Sequence, residues 1–106
     1  MVEVRAGVDA LDREIAALLG VRFGYMVAAA RIKTTRAAVR DEVRKATVIA
    51  QAEAAARAAG VPEGVAAQIW ETLVEASFAY ELVEFNARGA SDGTRTRGLR
   101  RDRPAL

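Results

Sequence analysis

"VRAGVDALDREIAALLGVRFGYMVAAARIK", residues 4–33, decides the fold. Within it Val4, Val8, Leu11, Ile15, Leu18, Arg22, Tyr25, Ala29 and Ile32 follow one another in alternating steps of four and three. That spacing traces one face of an α-helix, and the stretch reads as a helix over residues 3–34. About 30 helical residues span about 45 Å, whereas a 100-residue domain has a radius of gyration of about 13 Å. The rest of the chain is too short to cover such a helix, so an intertwined homodimer is expected. The alternative is a monomer whose helix breaks at Gly20 or Gly24, since interior glycine weakens a helix.

The remaining sequence continues the helical pattern. Of the 106 residues 52% are hydrophobic and only 6% aromatic, alanine supplies most of the excess, and there are just two prolines. This composition favours helix over strand. Thr34, Thr35 and Arg36 read as a loop, with Thr35 as N-cap of a second helix running from Ala37 or Val39 to Ala59. Gly60 suits the position just past a helix end, and Pro62 the first position of the next helix. A third helix is expected from Pro62 to Ala87, its stripe holding Ala66, Trp70, Leu73, Val74, Ser77, Glu81 and Phe85. The expected architecture is therefore all-α, with three helices in residues 1–89.

Residues 90–106 lack periodicity and read as a disordered tail. Residues 91–106 carry five Arg and two Asp, while residues 1–90 carry 11 basic and 12 acidic side chains. The excess of positive charge lies wholly in the tail. That argues against a basic nucleic-acid face on the domain, and no nucleic-acid partner is expected. No run of about 18 uncharged apolar residues suggests a membrane span. The stretch MVEVRAGVD lacks the layout of a signal peptide, so the expectation is a cytoplasmic protein without a membrane partner.

Cysteine and histidine are both absent. Zinc, haem and iron–sulfur sites thereby lose their usual ligands, and Ser–His and Cys–His nucleophilic schemes are excluded. Chemistry here must come from Arg, Lys, Glu, Asp, Ser or Tyr. Three such residues stand on or beside faces that otherwise look buried: Arg22, Lys33 and Glu81. An unpaired buried charge costs several kcal/mol, so these need partners. Glu81 pairing with Lys33 or Arg22 as a structural salt bridge is one solution. An anionic ligand held between helices is the other.

Arg22 and Lys33, 11 residues apart, fall within about 20° of one helix face and about 16 Å along it, so their side chains can converge on an elongated anion. Arg5 points about 100° away on its own helix, yet in an antiparallel pair of chains it reaches a partner's site. Three cations against one carboxylate leave room for a dianion, and arginine suits carboxylates through its planar fork.

R-x-x-V-D-x-L-D opening the first helix, Arg22 at 17 residues after Arg5, Lys33 at 11 further on, and "LVEASFAYE" in the third helix resemble the all-helical chorismate mutase family, including its isochorismate pyruvate-lyase branch. The resemblance covers about residues 2–88. It implies a homodimer with two sites, each completed by an arginine from the other subunit, a position that Arg5 matches. By the same resemblance Arg22 grips a carboxylate, Lys33 donates to the ether oxygen of the breaking C–O bond, and Glu81, which must be protonated to donate, stands on the oxygen's other side. Ser77 matches a position near the ring carboxylate and Glu42 one that holds the ring hydroxyl. Lys45 and Ala46 stand where some mutases place an Arg-Glu pair, and Lys45 is a substrate-binding candidate.

The reaction implied, chorismate to prephenate, is pericyclic and needs no metal or cofactor. Release of salicylate and pyruvate from isochorismate is the alternative, since "TTRAAVRDE" resembles the lyase-like subgroup. A catalytically silent helical dimerisation module is the alternative from outside enzymology.

Overall fold

The computed structural model describes residues 1–90. Three α-helices, α1 (Val2–Ile32), α2 (Glu42–Ala58) and α3 (Val65–Ala90), are joined by a 3-10 turn at Arg36–Ala38 and a short loop. Among the described residues there is no strand. The all-α, three-helix reading therefore holds. The tail expected from residue 90 lies outside the described residues except for Ala90, which ends α3.

α1 is helical without interruption through Gly20 and Gly24. Glu3 in its first turn and Arg31 in its last have the signs that the helix dipole favours. It stops two residues before the expected end. Lys33 is already extended, at φ −70° and ψ 140°, while its N–H still bonds the Ala29 carbonyl at 3.0 Å.

The second helix starts later than the periodicity suggests, because two caps follow one another. Thr35 Oγ1 accepts from the Ala38 N–H at 3.2 Å and opens only the 3-10 turn. Asp41 then caps α2, its carboxylate accepting from the Arg44 N–H at 2.9 Å. At the far end Gly60 adopts a left-handed φ of 91°. The Gly60 N–H bonds the Arg57 carbonyl and the Val61 N–H bonds that of Ala56, the paired bonds of a Schellman motif. Gly60 thus does what its position promised.

Pro62 does not begin α3. The turn continues through Gly64, at φ 86°, and α3 starts at Val65. Its cap comes from another helix: Glu53 of α2 accepts from the Gly64 N–H at 2.7 Å and the Ala67 N–H at 3.1 Å. Proline at a first helical position is a local signal, and a cap supplied from 11 residues upstream is not.

α3 packs against both α1 and α2. The buried apolar residues are Val27 and Ala30 of α1, Val39, and Ala66 and Val74 of α3. Phe23 of α1 meets Tyr80 of α3 edge-on, with ring centroids 5.4 Å apart. This core occupies only the C-terminal third of α1. The first 20 residues are all exposed, and Val8, Leu11, Ile15 and Leu18 each keep half or more of their surface. By length and composition α1 is also apolar enough to cross a membrane, a property that the search for an uncharged run misses because Arg22 and Arg31 interrupt it.

Candidate active site

Residues 22–32 of α1, with Lys33 just past its end, lie against the middle of α3, and the charged side chains on the two apolar stripes meet there. Ser77 and Glu81 are one helical turn apart on α3, so both face α1. They are the buried polar side chains of this core, at 3% and 2% exposure. Opposite them stand Arg22 and, at the end of α1, Lys33.

Two contacts organise the cluster. Lys33 Nζ lies 2.5 Å from Glu81 Oε2. The approach lacks the direction of a hydrogen bond, so buried Oε2 has an ionic partner but no hydrogen-bond donor. Arg22 Nη1 donates to Ser77 Oγ at 2.6 Å, and Ser77 Oγ donates to the Leu73 carbonyl at 2.7 Å. Of the two pairings open from sequence, Glu81 takes Lys33, which leaves Arg22 without a carboxylate partner among the described residues.

Arg22 is held below the ordinary arginine pKa, chiefly by burial and then by the positive charge of Arg44. Arg44, an exposed residue in the first turn of α2, therefore lies near enough for its charge to act on Arg22, and it is absent from the sequence-derived set. The signal that finds it is the Asp41 cap. Once α2 begins at Glu42, Arg44 falls in its first turn, where its charge is felt at Arg22.

Lys45 and Glu42 do not join this cluster. Lys45 Nζ bonds Glu71 at 2.8 Å and Glu75 at 2.7 Å on α3. Glu42 pairs with Arg40, which also pairs with Glu75 and lies 4.9 Å from the Phe78 ring centroid. Arg5 is exposed near the start of α1, about 25 Å along the helix from Arg22. No acidic cluster that could hold a metal ion occurs among the described residues.

The site is therefore a charged cluster between α1 and α3, with a buried carboxyl at one end and an arginine without a carboxylate partner among the described residues at the other. Such a cluster has the groups to hold a small organic anion by position and charge. Residues 4–82 match the family model described as chorismate mutase type II, and the chain belongs to that family. Membership carries a chorismate mutase-type function and a chorismate-like substrate. Searches of curated proteins and of solved structures find no match to this chain.

Proposed function

We propose that the protein is a chorismate mutase, acting on chorismate to give prephenate. The observation that carries this reading is the placement of Arg22–Ser77 and Lys33–Glu81 side by side between α1 and α3 in a chain of this family. In the rearrangement the ether C–O bond breaks as a C–C bond forms to the ring carbon that bears the carboxylate. No atom or proton is gained or lost. The protein needs only to hold the flexible dianion with its reacting ends together and to place donors where the ether oxygen gains negative charge.

In this reading Arg22, supported by Arg44, takes a carboxylate. Lys33 donates to the ether oxygen, and a protonated Glu81 donates from the other side. In the free chain Lys33 and Glu81 form an ion pair in which Glu81 Oε2 lacks a hydrogen-bond donor, and in this reading the ligand's ether oxygen enters between the two groups.

The active form proposed is a homodimer. The exposed stripe of Val4, Val8, Leu11, Ile15 and Leu18 runs along a helix that its own chain leaves bare, and a second copy of α1 covers it economically. Arg5 of that copy supplies a further cation for the substrate dianion. A stripe shared between two chains also accounts for the apolar character of α1 without a membrane, consistent with a cytoplasmic enzyme.

The test is to give the purified protein chorismate and isochorismate separately. Prephenate from chorismate as the faster reaction supports the proposal. Salicylate and pyruvate from isochorismate as the faster reaction assign the lyase instead, and turnover of neither leaves a silent dimerisation module.

A further inference from the structure

The Ser77 hydroxyl is committed at both ends. Its proton goes to the Leu73 carbonyl and its oxygen accepts from Arg22, at 2.7 and 2.6 Å. With 3% of the residue exposed, the hydroxyl has no second proton to offer a ligand. Arg22, by contrast, is held on its α3 side by that single hydrogen bond. Burial and the nearby charge of Arg44 both act against the guanidinium. An arginine side chain carries about 2 kcal/mol of rotamer entropy, so an untethered Arg22 would spread over several rotamers away from Arg44.

We infer that Ser77 is a positioning residue: it anchors one Nη of Arg22 to the α3 backbone so that the remaining N–H groups face the pocket as a preset fork for a carboxylate. The hydroxyl acts as a relay, drawing on the Leu73 carbonyl dipole to strengthen its acceptance from the guanidinium. The inference rests on the pocket being a dicarboxylate site, and it differs from a direct contact of Ser77 with substrate in what depends on Arg22.

The experiment compares wild type, Ser77→Ala, Ser77→Thr, Arg22→Ala and the Ser77→Ala/Arg22→Ala double variant. Readouts are steady-state kinetics on chorismate, calorimetric binding of prephenate, and Arg22 side-chain nitrogen NMR in the free protein. Losing one charge-assisted hydrogen bond corresponds to about a tenfold change. Ser77→Ala is expected to raise KM and weaken prephenate binding by about tenfold while leaving kcat within about threefold. It should also speed rotation of the Arg22 guanidinium, with Thr restoring both. In the Arg22→Ala background Ser77→Ala should cost nothing further in prephenate binding.

A full, additive cost in that background would mean direct substrate contact and overturn the inference. So would guanidinium rotation equally slow in wild type and Ser77→Ala. If wild type binds no prephenate, the pocket reading fails, while the nitrogen spectrum still reports separately whether Ser77 holds Arg22.

Discussion

Lys33 and Glu81 form an ion pair at 2.5 Å in which the lysine is 27% exposed and the carboxylate 3%. The asymmetry sets the consequences of breaking it. Lys33→Ala leaves a buried carboxylate alone, and we expect a loss of about 2 kcal/mol, below the range for a fully buried pair because water reaches the lysine. Lys33→Ala combined with Glu81→Leu should recover most of that stability but no activity. Chemical denaturation and turnover, measured on both variants, separate the structural role of the pair from its chemical one.

Glu81 is expected to work as a hydrogen-bond donor to the ether oxygen. Glu81→Gln, whose amide is a permanent donor, should keep turnover, while Glu81→Ala should lower kcat about 100-fold. Equal kcat in Glu81→Ala and wild type would remove Glu81 from the mechanism.

The Arg40–Glu75–Lys45–Glu71 chain fastens α2 to α3 on the outside of the molecule. Arg40 first and then Lys45 hold the Glu75 carboxyl below its ordinary value of 4.5. A carboxyl depressed by folding contributes stability above its unfolded value and loses it as pH falls through the folded one. Lys45 is raised by Glu71 and Glu75, so its contribution is present below the ordinary value of 10.5 and lost as pH rises through the folded one. The thermal midpoint should drop as the pH falls below about 4.5, and less so in Glu75→Gln. Because these groups are solvent-accessible, added salt should shrink the difference.

Glu53 caps α3 from α2 through two backbone N–H groups. Glu53→Ala should cost about 1 kcal/mol, the usual worth of a cap, with KM and kcat nearly unchanged because no site residue touches it. A large change in kcat would show that the α2–α3 corner reaches the pocket.

The legible parts of the sequence were those written in periodicity. Helical steps along Val4 to Ile32 located α1, and the charges that broke otherwise apolar stripes, Arg22, Lys33 and Glu81, are gathered by the fold together with the polar Ser77. Gly60 was legible because a left-handed residue has a strong compositional signature. Helix starts were not. Thr35 and Asp41 are equally good caps in sequence, and only packing decides that the first opens a single 3-10 turn. That ambiguity shifted the expected start of α2, whereas Glu42 and Lys45 were placed by the resemblance alone; in this structure their side chains pair with Arg40 and with Glu71 and Glu75. The Glu53 cap was invisible for a different reason, since it is made across a helix–helix interface.

The proposed homodimer, in which Arg5 of one chain completes the site of the other, makes a prediction about mixtures. Arg5→Ala and Arg22→Ala should each be nearly inactive alone. Unfolding and refolding them together should recover about a quarter of wild-type activity, because half the dimers are mixed and each mixed dimer has one intact site. Activity that never exceeds the average of the parents would place Arg5 outside the site.

The central claim is that the pocket between α1 and α3 rearranges chorismate through Lys33 and Glu81. Its most direct measurement is prephenate formation from chorismate by purified wild type and by Lys33→Ala, both shown to be folded by circular dichroism. The account predicts prephenate with wild type and a rate at least about 100-fold lower with the variant, the loss expected for removing one donor to a developing oxyanion. No prephenate from wild type, or equal rates from the two proteins, would contradict it.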